Sequence, residues 1–481
     1  MRFDRINPIF NYSKEQMKKL LLPFLLLLTG ATEAQVYQSL NMNLQSNWYD
    51  STVIAEPAYG IKYNGIWGYE ANGREYALVG STAGVYFIDL TNPQNPIKVD
   101  FVAGRRAACI WREIKTYSHY AYLISDDQSP NSFQIVDLQY LPDSAHVVAD
   151  YTTLFERGHT LYVDGNKLYV GITRGGQFAQ NASMAVFSLN NPEVPAFLRS
   201  INDDYPSLLS GNQVHDMFVR NDTIYASCGY DGLFIFIYDS VANQFQLINS
   251  LTTYPSQGYN HSSALADNGT LVFMDEVPSG LPVKLLDVND LQNLTVTTTF
   301  SSNPIVTPHN PFVIGNICFI AYYMDGLQVY DVSDPYNPIR TAYFDTHNQE
   351  PLGGPYSSLA YQGAWGAYPF FSSGNIAVSD MQNGLFVLNQ SASGLNDLML
   401  SHAQVYPNPA ISNQQLTIAD LKNGQAMVVE IYNLQGNLVL STTFISTEKS
   451  VDIRLPEIAS GLYLLKLSNG IETISKKLVI R

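Results

Sequence analysis

A repeated pattern of short β-strands is the feature that most constrains the fold of this chain. The stretch ICFIAYYMDGLQVYDVSDPYNPIRTAYF (Ile317–Phe344) predicts three strands, because apolar and aromatic runs alternate with Gly, Asp and Pro turns. The same pattern occurs about seven times, at a spacing of roughly fifty residues. Three antiparallel strands cannot bury their own apolar faces, so each unit needs neighbours of the same kind.

One more short strand precedes each unit, and repeated four-stranded units are typical of a β-propeller. These innermost strands lie at IWGY, IWREIKTY, HTLYV, HDMFV, HSSAL, HNPFV and AWGAY. The last unit has only three strands before the sequence changes character, so we expect Leu40–Trp48 to supply its fourth strand. Residues 36–390 are therefore predicted to form a seven-bladed propeller in which an N-terminal strand closes the last blade.

The N-terminal residues 1–34 predict an extension followed by a signal peptide, with the signal proper at residues 17–34. Basic residues precede the apolar run Leu20–Leu28, and Ala31–Ala34 offers a small-residue cleavage site. A short membrane anchor is the alternative, although Leu20–Leu28 is too short to span a bilayer. We expect no transmembrane segment in the mature chain.

The C-terminal part of the chain predicts a second, smaller domain. Asn389–Asn396 is rich in Asn, Gly and Ser, which indicates a linker that we place at residues 391–400. Residues 401–481 then alternate apolar and polar positions between turns, a pattern typical of a small immunoglobulin-like β-sandwich. The predicted fold class is therefore all-β, a seven-bladed β-propeller followed by a small Ig-like β-sandwich.

Charge and cysteine content narrow the function classes. The formal net charge of −16 argues against a nucleic-acid partner, because phosphate binding needs a basic surface, and it suits an exported protein. The odd number of cysteines (Cys109, Cys228 and Cys318), without any CxxC pair, predicts buried free thiols rather than disulfides.

Four C-terminal stretches resemble the type A sorting domain of the bacterial type IX secretion system. They are, in order, VYPNPA (Val405–Ala410), VEIYNLQGNLV (Val429–Val439), LPEIASGLYLLKL (Leu455–Leu467) and KKLVIR (Lys476–Arg481). The resemblance implies that residues 401–481 engage the secretion machinery, are usually removed, and often accompany attachment to surface lipopolysaccharide. It also implies an extracellular or outer-membrane-surface location, reached after Sec-dependent export to the periplasm.

The preceding residues resemble the choice-of-anchor B family of LVIVD-repeat proteins. The resemblance is carried by NWYD (Asn47–Asp50), IWGYEANGREYALVGSTAG (Ile66–Gly84), WREIKTYSHYAYLIS (Trp111–Ser125) and GAWGAYPFFSSGNIAVSDMQNGLFVL (Gly363–Leu388). Glu113 departs from the family's usual WRDIK. The family name records varied C-terminal anchors, so the resemblance implies fold and location and leaves the activity open.

Four histidines stand at corresponding places in successive units, each at the start of an innermost strand: His159, His215, His261 and His309. In a propeller such residues face one another around the central channel. Neutral imidazoles bind divalent transition metals, and three or four of them leave room for water or substrate. The alternative is that each histidine hydrogen-bonds to the backbone of the next blade. Four ligands on four blades span more than half the ring, so three would reach one ion more easily.

Three tryptophans fall near the equivalent places in the other units: Trp67, Trp111 and Trp365. They predict either stacking on sugar rings at the channel mouth or packing between the inner strands. Arg112 and Glu113 follow the second of them. This pair predicts either a channel ion pair or an anion-binding arginine beside an acid/base glutamate.

Carboxylates near the histidines are the remaining candidates for chemistry. Asp216 follows His215, and Asp275-Glu276 follows a predicted second strand, so these groups could orient metal ligands or act as a general base. Together with Glu113, Asp216 and Glu276 are candidates for catalysis, and none of them is assigned a catalytic role. Water activated by a bound ion would attack an ester, phosphate or glycosidic bond.

No complete catalytic motif occurs, because GxSxG, HExxH, P-loop and dinucleotide fingerprints are all absent from the sequence. We therefore expect an exported binding or interaction module for a glycan, a protein or another envelope component. Its cofactor is left open, and a divalent transition metal is the candidate that the histidines suggest. A metal-dependent hydrolase or lyase that uses the histidine cluster at the channel mouth is the alternative.

Overall fold

The computed structural model describes residues 37–347, 361–390, 403–419, 421, 426–433, 436–445, 450–468 and 473–481. The expected signal peptide (residues 17–34) and linker (residues 391–400) lie outside these ranges. In the described part of the chain, no helix combines the length and the hydrophobicity that crossing a membrane requires.

Two short strands come first, followed by the strands of three antiparallel blades. The first two strands are β1 (Ser39–Leu40) and β2 (Met42–Trp48). Blade one consists of β3 (Tyr63–Ala71), β4 (Arg74–Ser81), β5 (Gly84–Asp89) and β6 (Ile97–Ala103). Blade two consists of β7 (Arg112–Tyr117), β8 (Tyr120–Ser125), β9 (Phe133–Asp137) and β10 (His146–Tyr151). Blade three consists of β11 (Thr160–Asp164), β12 (Lys167–Gly175), β13 (Phe178–Ser188) and β14 (Ala196–Ser200), before the short helix α1 (Ile201–Asp204).

Four more blades complete the propeller. Blade four consists of β15 (Asp216–Arg220), β16 (Thr223–Ser227), β17 (Leu233–Asp239) and β18 (Gln244–Leu251). Blade five consists of β19 (Asn260–Leu265), β20 (Thr270–Asp275), β21 (Val283–Asp287) and β22 (Thr295–Phe300). Blade six consists of β23 (Asn310–Ile314), β24 (Ile317–Ala321), β25 (Leu327–Asp331) and β26 (Ile339–Phe344). Blade seven consists of β27 (Ala364–Tyr368), β28 (Asn375–Asp380), β29 (Gly384–Gln390) and β2.

The innermost strands form a closed ring. In the order β3, β7, β11, β15, β19, β23 and β27, each strand contacts the next, and β27 contacts β3. Apolar side chains fill the spaces between neighbouring blades; for example, Leu78 and Phe87 of blade one pack with Leu123 and Val136 of blade two. The predicted all-β, seven-bladed propeller class is therefore confirmed.

The N-terminal strands bind two blades at once. β1 pairs with β26 of blade six, whereas β2 pairs with β29 of blade seven, from Met42 opposite Gln390 to Trp48 opposite Leu385. Asn41, between the two strands, takes a left-handed backbone conformation (φ 51°) and donates from its side chain to the carbonyl oxygen of Thr341. This residue lets the chain turn from one blade to the next.

Aspartates end the third strands of several blades and cap the loops that follow. In Asp89, Asp137, Asp287 and Asp331 the carboxylate accepts the backbone N–H of the residue two positions later, at 2.8–3.0 Å. All three cysteines are free and buried, as the sequence predicted.

The C-terminal domain is a sandwich of two antiparallel sheets. Its strands are β30 (Gln404–Tyr406), β31 (Gln415–Ala419), β32 (Ala426–Asn433), β33 (Leu438–Ile445), β34 (Ser450–Arg454), β35 (Gly461–Ser468) and β36 (Thr473–Ile480). One sheet has the order β30-β31-β34 and the other β33-β32-β35-β36. Ile418 and Ile453 of the first sheet share a core with Val429 and Leu465 of the second, as a β-sandwich requires.

Candidate functional site

A cavity of about 790 Å³ lies inside the ring and is lined by residues of all seven innermost strands. This volume falls within the range of small-molecule sites, roughly 300–1,000 Å³. Its wall is mixed, with aromatic rings, carboxylates and imidazoles, so the cavity is the place in the propeller where binding chemistry is concentrated.

The four predicted histidines converge at one level of this cavity. Their ring centroids are 4.1 Å apart for His159 and His215, 4.4 Å for His215 and His261, and 4.5 Å for His261 and His309. These four imidazoles form a continuous row across blades three to six, the histidine file. All except His159 are less than a tenth exposed.

Three members of the file are oriented through Nδ1. His159 Nδ1 lies 3.1 Å from Asp126 Oδ2, His215 Nδ1 lies 3.1 Å from the carbonyl oxygen of His261, and His309 Nδ1 lies 2.6 Å from that of Trp365. A carbonyl oxygen can only accept, so Nδ1 of His215 and His309 carries the proton and Nε2 keeps its lone pair. The two interpretations of the histidines are thus compatible, because one nitrogen joins the blades while the other stays free to bind an ion.

Burial keeps the inner imidazoles neutral. Desolvation, with the nearby His159 ring, lowers the pKa of His261 to about 3, and desolvation together with His261 lowers the pKa of His309 to about 3. Desolvation and both neighbouring imidazoles hold the pKa of His215 well below its usual range. Neutral imidazole is the form that coordinates metals, so His215, His261 and His309 are ready to bind an ion near neutral pH.

Glu276 adds a carboxylate to one end of the file. It directly follows β20, and its side chain is only 11% exposed. Potential ligand atoms of His261, Glu276 and His309 all lie within 4.8 Å of one another. His261 Nε2 is 3.7 Å from Glu276 Oε2, and the Tyr323 hydroxyl donates to Glu276 Oε1 at 2.5 Å.

The Glu276 carboxyl group has no cationic partner among the described residues, since its one ion-pair contact is the neutral His261. A buried carboxylate is normally paired with a cation or a metal ion. Two imidazoles and a carboxylate are also a known ligand set for Zn²⁺ and Fe²⁺ that leaves coordination positions open. The residues present therefore fit a divalent transition metal.

Asp216 and Glu113 contribute a second acidic group to the cavity. Burial, with the nearby Glu113 carboxylate, raises the pKa of Asp216 to about 7. Glu113 forms its ion pair with Lys115. The pair expected between Arg112 and Glu113 is therefore not formed.

Arg112 instead donates hydrogen bonds to the backbone. Its Nε donates to the carbonyl oxygen of Ser81 at 2.7 Å and its Nη2 to that of Arg106 at 2.8 Å, and the residue is 6% exposed. The guanidinium therefore links blade two to blade one. The spacing of the strands in the sequence does not predict this structural role.

The three tryptophans are not equivalent. Trp111 and Trp365 flank the histidine file, with ring centroids 6.4 Å from His159 and 4.8 Å from His309, respectively. Trp111 is 39% exposed, whereas Trp365 is 7% exposed and packed. Only Trp111 of these two offers an open aromatic face to the cavity.

Trp67 lies at another level of the channel. The β3–β4 register shifts between Tyr63 and Ile66, so the residues that correspond to the histidines precede Ile66, and Trp67 lies farther along the strand. The Lys115 ammonium lies 4.1 Å from the centre of its ring, and its Nε1 donates to Thr116 Oγ1. Its face is thus covered by a cation.

Asp275, unlike its neighbour Glu276, does not reach the cavity. It forms an ion pair with Lys284 inside blade five, and both side chains have 0% exposure. The Tyr254 hydroxyl donates to the other carboxylate oxygen at 2.7 Å. The alternation of side chains along β20 explains why only one of the two acids faces the site.

Sequence reasoning missed two residues that contact the predicted ligands, Asp126 and Tyr323. Asp126 follows β8 as Glu276 follows β20. In both cases the backbone N–H donates to the carbonyl oxygen of the residue that precedes the first strand of the blade. Alignment of the strand ends could have found Asp126. Tyr323 has no such signal, because it belongs to a turn.

Comparison with known proteins identifies the C-terminal domain. Residues 404–481 match the family described as the secretion system C-terminal sorting domain. No curated protein matches the chain. The domain is the tail that type IX secretion cargo carries, so the protein is delivered by that system to the cell surface or released.

Several solved structures are similar to the chain at low sequence identity. The computationally designed Ika8 protein is 9% identical, with 89% of this chain and 99% of that chain covered and a TM-score of 0.41. A putative 6-phosphogluconolactonase from Bacteroides uniformis is 11% identical, with coverage of 78% and 96% and a TM-score of 0.46. PorZ, a surface component of the type IX secretion system of Porphyromonas gingivalis, is 12% identical, with coverage of 85% and 73% and a TM-score of 0.21. None of these likenesses bears on the function of this chain.

Proposed function

We propose that this exported propeller is a binding module that holds a divalent transition-metal ion in its channel, between His261, Glu276 and His309. The observation that carries the proposal is the Glu276 carboxylate, which is only 11% exposed, lacks a cationic partner among the described residues and lies against two neutral imidazoles. A bound ion would supply the missing positive charge and would offer open coordination positions to a ligand.

The cavity beside this cluster suits a small ligand or a protruding group of a larger one. Tyr59 and Tyr230 line it and are 42% and 67% exposed, and Trp111 is also open. Exposed aromatic faces around a polar centre favour a glycan or an aromatic protein side chain as the ligand. His159 and His215 continue the row of imidazoles away from the proposed ion and would contact the ligand.

Metal analysis of tag-free protein tests the proposal. After incubation with Zn²⁺ and exhaustive dialysis, the full-length chain is expected to keep about one equivalent, as three protein ligands hold a Zn²⁺ ion. The content is measured by plasma mass spectrometry. Protein that retains no Zn²⁺, Fe²⁺, Cu²⁺ or Ni²⁺ after the same treatment would contradict the proposal.

A metal-dependent hydrolase or lyase is the second candidate function, and the raised pKa of Asp216, about 7, favours it. A carboxylate with that pKa can accept and return a proton near neutral pH, as a general base must. A bound ion would supply Lewis acidity. Glu113 pairs with Lys115, and the Lys115 ammonium opposes part of the rise in the pKa of Asp216.

Turnover distinguishes this second candidate from simple binding. Zn²⁺-loaded protein is expected to hydrolyse p-nitrophenyl esters or phosphates, and Asp216→Asn is expected to lower kcat by about 10²–10⁴-fold because it removes the base. Retention of the ion by the variant is the control. Equal turnover by both proteins would exclude Asp216 as the base.

We also propose that the propeller belongs to the choice-of-anchor B family of LVIVD-repeat proteins, with domain limits at residues 36–390 and 401–481. The four stretches that resemble this family support the assignment. We further propose Sec-dependent passage through the periplasm, removal of residues 401–481 and attachment to surface lipopolysaccharide, supported by the signal-like segment and the sorting domain. The mass of the surface-exposed protein reports whether the tail has been removed.

A further inference from the structure

Tyr323 lies in a turn that has a close counterpart elsewhere in the propeller. The stretch Tyr322–Gly326 follows β24 in blade six, and Cys228–Gly232 follows β16 in blade four. Both stretches close with the same backbone hydrogen bonds, from the first N–H to the last carbonyl oxygen at 2.8 Å and from the last N–H to the second carbonyl oxygen. Both second residues, Tyr323 and Gly229, also form an isolated β-bridge to the first strand of the next blade.

The second residue of each turn has a left-handed backbone, with φ of 61° at Gly229 and 39° at Tyr323. Glycine adopts this conformation without steric cost, whereas a residue with a side chain is strained there. Blade four therefore carries the residue that the backbone favours, and blade six carries an aromatic residue at the same place. Retained strain of this kind is often found at functional sites.

The side chain of Tyr323 contacts two of the three residues in the candidate metal cluster. Its hydroxyl donates to Glu276 Oε1 at 2.5 Å, and its ring is stacked on the His309 imidazole with centroids 4.4 Å apart and planes 24° apart. Only 1% of the residue is exposed. Glycine at this place would leave both the carboxylate and the imidazole without this support.

The bridge from Tyr323 also fixes the acceptor of the His309 imidazole. The carbonyl oxygen of Tyr323 accepts the N–H of Ala364 at 2.9 Å, and the next residue, Trp365, accepts the Nδ1 hydrogen of His309. One residue thus contacts the carboxylate, the imidazole and the strand that orients the imidazole.

We infer that Tyr323 is a positioning residue of this site, which holds Glu276 and His309 in the arrangement that binds the ion; the inference rests on the proposed metal centre. Groups that hydrogen-bond to metal ligands set the orientation and basicity of those ligands, and their loss typically weakens metal binding by about 10- to 100-fold. The Tyr323 hydroxyl makes such a hydrogen bond to Glu276, and the Tyr323 ring holds the His309 imidazole by stacking on it.

The test compares Tyr323→Phe with the wild-type chain and with Tyr322→Phe as a matched control. Tyr322 is the adjacent buried tyrosine, and its environment is that of Ser301, Ser302 and Asp325 rather than Glu276. Zn²⁺ affinity is measured by competition with a chromogenic chelator, and the visible spectrum of the Co²⁺-loaded proteins reports the geometry of the ion. Urea unfolding of the metal-free proteins measures their stability.

Tyr323→Phe is expected to weaken Zn²⁺ binding by about 10- to 100-fold and to change the Co²⁺ spectrum, while Tyr322→Phe changes neither. A merely structural tyrosine would lower the urea midpoint without altering the spectrum. If wild-type protein binds Zn²⁺ and Tyr323→Phe binds it equally well, the positioning role is wrong and the metal site stands. If wild-type protein binds no metal, the proposed function fails and the inference fails with it.

Discussion

A chain that carries both His261→Ala and His309→Ala is expected to lose more than about 100-fold in Zn²⁺ affinity. Outer-sphere partners alone typically contribute 10- to 100-fold, and these two residues are the nitrogen ligands of the candidate centre. The remaining carboxylate, Glu276, would bind an ion no better than a single surface carboxylate does. Chelator competition and plasma mass spectrometry measure the loss.

Two other double variants serve as controls for this prediction. His119→Ala/His146→Ala removes two imidazoles outside the file and is expected to leave affinity unchanged. His159→Ala/His215→Ala removes the other half of the file and is expected to retain the ion, because those residues are not part of the compact group. If His159→Ala/His215→Ala loses the metal and His261→Ala/His309→Ala keeps it, the ion binds at the opposite end of the file and the proposed ligand set is wrong.

The second large effect is expected from Lys284→Met, in blade five. Lys284 and Asp275 form an ion pair in which both side chains have 0% exposure, and burial lowers the pKa of the lysine although the carboxylate opposes this. Removing the lysine leaves an unpaired carboxylate in the core, which typically costs about 3–5 kcal/mol of unfolding free energy. Urea unfolding measures the change.

A double variant separates the loss of the pair from the loss of packing. Lys284→Met/Asp275→Asn removes both charges and keeps an acceptor for the Tyr254 hydroxyl, so it is expected to recover most of the lost stability. The four tryptophans of the chain (Trp48, Trp67, Trp111 and Trp365) all lie in the propeller, so their fluorescence reports its unfolding. A double variant as unstable as Lys284→Met would show that the ion pair itself is not the cause.

The architecture could be predicted because it depends on repetition. Short apolar runs, turn residues and a constant spacing recur along the chain, and each signal is local in sequence. The positions of the four histidines followed from the same repetition, since residues at the head of successive innermost strands must lie side by side in a closed ring. The centroids of neighbouring imidazole rings are 4.1–4.5 Å apart, so this position of the repeat brings side chains of adjacent blades into contact.

The parts of the site that could not be predicted depend on local departures from the repeat. The register shift in β3 moves Trp67 away from the level of the histidines, and no sequence pattern marks such a bulge. Arg112 binds backbone carbonyl oxygens, and backbone acceptors are invisible in a list of side chains. Tyr323 lies in a turn whose counterpart in blade four has glycine at the same place, so its position is understood only when the two turns are compared.

The two strands at the start of the propeller have a consequence for how the molecule assembles. Asn47, in β2, donates to the carbonyl oxygen of Asn383, a residue 336 positions later. Contacts over such distances in sequence are costly in loop-closure entropy and form late. During synthesis the early strand has no partner until nearly all the blades have emerged, and blade seven keeps an unpaired edge until that strand arrives. A chain with this topology cannot complete its ring until the strand β29 has been made.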